Sequence, residues 1–147
     1  MSGLPVAHPS QTWLVHLPRD VCEMLLRTSP VGRLGVVVDG RPEVFPICHV
    51  FEGGCVAFPT NVGTKLHAAL RWPWVCYEID GMSADNESAW SVIVSGRAEV
   101  VSDPRELRLA AALRMSPWRT GDDVVWMRIV PSAISGRRIE ADRSVRP

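Results

Sequence analysis

The sequence predicts a small, mainly β domain: an antiparallel barrel of six or seven strands with helices packed outside it. Three observations carry this. Short runs of β-branched and aromatic residues recur along the whole chain, at 31–38, 43–51, 56–59, 74–79, 89–102, 124–130 and 133–139. Glycine or proline stands at the bends between them, as in Asp39-Gly40 and Gly53-Gly54. Only three stretches have helical spacing, at 19–29, 62–71 and 103–114. Strands in that number, with few helices, bury their apolar faces best by curling into a barrel.

Taken in order, residues 1–17 hold Pro5 and Pro9 and no sustained period, and read as a loose arm or an extended segment. His8 and His16 lie in it and read as solvated or structural. Residues 19–29 form a helix with Val21, Cys22, Leu25 and Leu26 on its apolar side, and Pro30 ends it. Residues 31–38 and 43–51 are two strands joined through Asp39-Gly40. In the second of these, Val44, Pro46, Cys48 and Val50 face one way, and Phe45, Ile47, His49 and Phe51 face the other. Pro46 has no N–H for a ladder, so this strand needs an edge or a break.

The stretch from Val56 to Asp80 is the one that points to chemistry. A strand ends at Pro59, and Thr60 and Asn61 are residue types that cap helices. The helix expected at 62–71 has Val62, Leu66, Ala69 and Leu70 in one apolar stripe, and Pro73 stops it. A helix opening at Thr60-Asn61-Val62-Gly63-Thr64-Lys65 offers backbone N–H groups, two hydroxyls and one ammonium, the parts of an anion site. Lys65 is the only lysine in a chain otherwise supplied with arginine, and a compact ammonium suits a phosphate. A solvated surface lysine is an equal alternative on spacing alone.

Beyond it, residues 81–87 are a polar loop, and the strand at 89–102 carries Gly96 where a bulge or barrel corner fits. Asp103 caps the third helix, with Pro104 at its first position. Pro131 separates the last strand or strands, and residues 141–147 are a frayed, charged tail. Trp72 and Trp74 read as core or barrel-cap packing, and His67 as exposed. Trp118 and Trp126 carry no functional argument.

Composition bounds the partners. The chain of 147 residues is one domain with room for a core. Formal net charge is zero, with 16 basic and 16 acidic residues, which argues against nucleic acid or an anionic membrane surface. No apolar run reaches the length of a membrane span, and no basic start precedes an apolar signal core, so a cytoplasmic location is expected. Cys22, Cys48, Cys55 and Cys76 form no C-x-x-C pair and read as buried, reduced thiols. No metal site is expected from their spacing.

The run Phe58-Pro59-Thr60-Asn61, followed by Gly63-Thr64-Lys65, resembles the corresponding segment of the pyridoxamine 5′-phosphate oxidase-like flavoproteins, the FMN-binding split barrels. The likeness extends to Val31-Gly32-Arg33-Leu34-Gly35, the Asp39-Gly40-Arg41-Pro42 turn, Pro46, Trp90-Ser91-Val92, Gly96-Arg97-Ala98 and Gly136-Arg137-Arg138-Ile139, in that order, within a domain at 18–140. The nearest branch is similar to the nitroimidazole-resistance reductases. The resemblance implies a split barrel, a homodimer and FMN in the cleft between its subunits. It places the flavin ring against Val44, Phe45, Pro46 and Ile47, near Phe58, and the phosphate at Thr60, Asn61, Thr64 and Lys65. It adds Trp90 and Ser91 at the cofactor or the dimer interface, with plain packing as the alternative for Trp90, and Arg33 or Arg137 could supply further charge to the cofactor. Val44 stands where the oxidases carry a phosphate-binding arginine, and His49 where they carry a substrate-contacting lysine. His49 is then a candidate proton donor beside the flavin, with a backbone-bonded strand histidine as the alternative. The implied activity is reduction of a small organic acceptor. A deazaflavin reductase, or a module that only sequesters flavin or haem, are the alternatives, with His49 or His67 as a possible iron ligand.

Overall fold

The computed structural model describes residues 12–107 and 123–141, at Thr12 and Lys65 the backbone alone. Eight strands and two complete helices follow one another as β1 (Thr12–Leu17), α1 (Arg19–Thr28), β2 (Val31–Val38), β3 (Arg41–Cys48), β4 (Val50–Glu52), β5 (Cys55–Asn61), α2 (Lys65–Ala69), β6 (Trp74–Met82), β7 (Ser88–Val100) and β8 (Val124–Ala141). All pairings are antiparallel, and the sheet order is β3-β2-β6-β7-β8-β5-β4 with β1 added to β8. The two ends of this order, β3 and β4, are consecutive in sequence and separated by His49 alone. One stretch therefore pairs with β2 first and with β5 afterwards, and so closes the sheet into a split barrel.

Local chemistry fixes the corners. Asp39 and Gly40 both take positive φ, the two-residue turn that matches strand twist in a hairpin. Pro46 sits on β3, which pairs only with β2 along its length, so its missing N–H costs no ladder bond. Thr12–Leu17 is a strand, not a loose arm; it pairs with the last residues of β8, from Leu17 with Gly136 to Thr12 with Ala141. The chain around Pro131 is one strand and not two. β8 runs through the proline because a bulge takes it up: Ser95 pairs with Ala133 and Gly96 with Pro131, leaving Ser132 unpaired and its hydroxyl bonded to the Ser95 carbonyl at 3.0 Å.

The core fills the barrel with Leu34, Val56, Phe58, Tyr77, Ile79, Val92, Val94 and Ile129, all at or near zero exposure. α1 closes one end by burying Cys22 and Leu26. A second, smaller cluster, Val101 and Trp126 with Leu107 partly buried, covers the outer side of β5 and β8. There the Asp103 carboxylate accepts the Arg105 N–H at 2.8 Å and starts the third helix as expected; its continuation to 114 lies outside the described residues. Arg128 fastens that segment, bonding Glu99 at 2.6 Å and Glu106 at 2.8 Å.

Gly96 lies where a Cβ would run into the carbonyl oxygen of Val130. Gly96→Ala should therefore lower the unfolding free energy by about 1–3 kcal/mol, as overpacking does, measured as a shifted urea midpoint at unchanged slope. An unshifted midpoint would show that the β7–β8 bulge yields.

Candidate functional site

The residues singled out by sequence fall into three groups. The first lies at the junction of β5 and α2. Thr60 and Asn61 continue the ladder with Val125 and Val124, so they end a strand and do not cap the helix. Gly63, at φ +84°, turns the chain, and the cap is Thr64. Its hydroxyl donates to the Asn61 carbonyl at 2.7 Å and accepts the His67 N–H at 3.2 Å. The buried Thr60 hydroxyl lies 3.5 Å from it. Lys65 is the first residue of α2. The helix is shorter than expected, because sheet pairing holds Thr60 and Asn61 beyond the point where propensity would begin a helix.

The second group is β3. The two sets separate as alternation predicts, and the structure puts Val44 and Pro46 outside and Phe45 and Ile47 inside. Val44 is 66% exposed, whereas Ile47 and Phe58 are core residues. Contact of a ring with the Ile47 or Phe58 side chain is therefore ruled out by the barrel wall. The outer side of β3 instead forms one bank of a shallow apolar groove of about 440 Å³, with Gly35, Val37, Pro42, Val44, Trp74 and Cys76 along it. Trp72 and Trp74 are not core: they are 60% and 53% exposed, and Trp74 walls the groove. Pro73 holds both at the start of β6, where the outward positions begin. Alternate apolar and tryptophan residues around a proline were the available signal. Cys76 is likewise exposed, contrary to the expectation of a buried thiol; Cys22 is buried and the other two are intermediate, and all four are free.

The third group is on β7 and β8. Ser91 pairs with Arg137, and Arg137 with His16 of β1. Trp90 points the other way, half-buried against the core and so close to Gly81 that a Cβ there would lie 2.6 Å from the indole. It does not share a face with Ser91 and Arg137. Thr60 is level with Val125 and Ser91 with Arg137, twelve residues apart on β8, or on the order of 40 Å of extended strand. Within one copy, the two groups therefore lie far apart along β8.

His49 is only 5% exposed. Its Nε2 is 2.8 Å from the Leu26 carbonyl, which can only accept, so the proton is on Nε2. Nδ1 then accepts from the Tyr77 hydroxyl at 2.5 Å. Tyr77 Oη also lies 3.3 Å from the Ile47 carbonyl. Burial pushes the His49 pKa down and the Tyr77 pKa up, so both are neutral. With both ring nitrogens engaged inside the fold, His49 is a brace and has no free nitrogen for proton donation or for iron. His67 is half-buried on α2. Among the described residues no cluster of three His, Cys, Asp or Glu side chains is placed to hold a metal, and no helix is long and apolar enough to cross a membrane.

A family model described as pyridoxamine 5′-phosphate oxidase matches residues 18–138. The chain belongs to this family. An uncharacterised protein of Mycobacterium tuberculosis, Rv0080, is 31% identical over 134 residues, 88% of either chain. The solved structure of an FAD-binding protein from Mycobacterium smegmatis is 35% identical, covers 84% of this chain and 98% of its own, and superposes with a TM-score of 0.74. A 5-nitroimidazole antibiotic resistance protein structure from Bacteroides thetaiotaomicron has a TM-score of 0.72 over 89% of this chain and 90% of its own at 13% identity, and shares the fold. Identity to the FAD-binding protein is higher than identity to this nitroimidazole resistance protein.

Removing the brace should leave the Leu26 carbonyl unpaired and the Tyr77 hydroxyl with only the longer bond to the Ile47 carbonyl. His49→Ala is expected to cost about 2–3 kcal/mol of stability. The pH dependence has a definite sign. The folded pKa of His49 lies below the unfolded value of about 6.5, so below that pH the unfolded chain binds a proton that the folded chain refuses. Stability should fall on acidification below about pH 6.5, by up to about 1.4 kcal/mol per pH unit from this group, and His49→Gln should flatten that slope. Urea titrations at several pH values give the comparison; equal slopes would contradict a neutral buried imidazole.

Proposed function

We propose that this protein binds a flavin in a cleft shared by two copies and uses it to reduce a small, planar organic acceptor. The observation that carries the reading is the 35% identity to an FAD-binding protein across nearly that protein's whole length. The cofactor class follows from the relative; FMN, as the sequence resemblance implies, and FAD share the ring and the first phosphate, and the residues here address those shared parts. The groove beside Val44 and Trp74 fits a flat apolar ring, and the junction at Thr60, Asn61, Thr64 and Lys65 fits an anion at a strand-to-helix turn. The flavin, when bound, supplies the hydride and electron chemistry. The chain's part is orientation, exclusion of water by the apolar groove, and neutralisation of phosphate charge by Lys65. Ser91 and Arg137 serve the site only from the second copy, which is why the reading requires a homodimer.

His49 has no place in this reaction, and no lysine replaces it as a contact for a substrate phosphate. Pyridoxamine 5′-phosphate should therefore be a poor substrate. Neutral quinones and nitroaromatics suit the groove better. Light scattering should give a dimer mass at micromolar concentration, and purified protein should carry or take up flavin with visible absorption bands. Chromatography of the released cofactor identifies it as FMN, FAD or a deazaflavin.

Lys65→Ala should weaken flavin affinity at least about tenfold, or 1.4 kcal/mol, with Lys65→Arg intermediate. Fluorescence titration measures this, and unchanged affinity would move the phosphate site elsewhere. Anaerobic reoxidation of the reduced protein should be fast with at least one quinone or nitroaromatic and slow with pyridoxamine 5′-phosphate; the opposite order would reject the acceptor class.

A further inference from the structure

Among the described residues, the outer surface of β3, β2, β6, β7, β8 and β1 lacks the cover that the segment after β7 gives to β5. It gathers exposed apolar side chains: Val37, Val44, Trp74 and Met82 along β2, β3 and β6, and Ile139 and Leu14 at its far side. Small residues fill the middle, with Gly35, Cys76, Ser95 and Ala133 in one row across the strands. Exposed apolar area of this extent marks a contact surface. It carries both signs of charge, Arg33, Arg97 and Arg137 beside Glu78 and Asp80, so two such surfaces can meet with opposite charges available on either side.

Locally the charges are uneven. Arg33 Nη1 lies 3.1 Å from Asp80 Oδ1 and 3.8 Å from Glu78 Oε1, so one guanidinium serves two carboxylates. Glu78 Oε1 is closed off from solvent and has no hydrogen-bond partner. A bare, ionised oxygen there is unfavourable, and the adjacent carboxylate makes it more so. Around Glu78, β2 presents Arg33, β3 Pro46, β6 Cys76 and Asp80, β7 Ile93 and Ser91, and β8 Ser135 and, beyond Ser91, Arg137. Burial first, and then Asp80, push the Glu78 carboxyl up against the opposing pull of Arg33.

We propose that two copies pack through this surface and that Glu78 takes up a proton as they do, so that pH controls assembly of the shared cleft. The inference rests on the shared-cleft reading above. Packing removes the remaining water from Glu78 and Asp80, whose side chains are 30% and 49% exposed in one copy. Losing that water raises the cost of ionising both, and a shared proton relieves it. Assembly therefore tightens as pH falls, by up to about tenfold per pH unit for each proton bound.

Sedimentation velocity on a dilution series between pH 6 and 8.5 should show the dimer dissociation constant rising at least tenfold with pH. Glu78→Gln should remove the slope and hold the constant near its acid value. For a dimer too tight to dilute apart, the carboxyl ¹³C resonance of Glu78 in glutamate-labelled protein should titrate well above the usual value of about 4.3 and vanish in Glu78→Gln. A slope retained in Glu78→Gln, or an ordinary midpoint in the dimer, overturns the proton linkage alone. Monomers at every pH that still bind flavin overturn the shared cleft with it.

Discussion

The barrel depends on the hydrogen bonds of one buried imidazole. The segment from Arg41 to Glu52 belongs to β2 at its start and to β5 at its end, and a strand that changes partners must leave its ladder somewhere. The change falls at His49, whose N–H bonds the Pro30 carbonyl and whose side chain reaches Leu26 on α1 and Tyr77 on β6. One residue thus ties the closing strand to the end-plug helix and to the opposite wall. The neutral form is required for this, since one nitrogen must accept while the other donates. Burial and tautomer are therefore parts of the same constraint, and a histidine is used here for its two-sided hydrogen bonding and not for its charge.

Closing the barrel in this way leaves its interior full and moves ligand binding to the outside. Leu34, Phe58, Tyr77 and Ile129 leave no space inside for a ring system. The outer surface is bare across β2 and β6, and covered across β5 and β8 by the segment that Arg128 holds down. The two candidate halves, at Thr60 to Lys65 and at Ser91 with Arg137, lie at opposite ends of β8. On the shared-cleft reading proposed above, groups so far apart would meet only across two molecules.

Much of this was legible in the sequence. The Asp39-Gly40 turn, the shared face of Phe45, Ile47, His49 and Phe51, the edge placement of Pro46 and the bulge at Gly96 all follow from two-residue alternation and from what proline and glycine permit. Misreadings arose where sheet pairing overrode a local signal. Thr60 and Asn61 look like caps but are held by β8, and Pro131 looks like a break but is absorbed by the bulge. Thr12–Leu17 looks shapeless because its order comes from a partner at the other end of the chain. Trp72 and Trp74 look like core because large aromatics usually are. The role of His49 was not legible, since choosing between a cleft and a core position depends on Leu26 and Tyr77, far away in sequence.

β1 and the end of β8 pair Thr12 with Ala141 and Leu17 with Gly136. A chain leaving the ribosome therefore exposes Trp13, Leu14 and Val15 long before it supplies their partner. Until residues 136–141 emerge, the first strand is an open edge, and α1 lacks the close seat that Gly136 gives Cys22. Contacts this distant in sequence slow folding, because the whole intervening loop must be ordered before they form. The barrel is thus completed only once residues 136–141 have emerged, and until then nascent chains have an apolar strand available to chaperones or to one another.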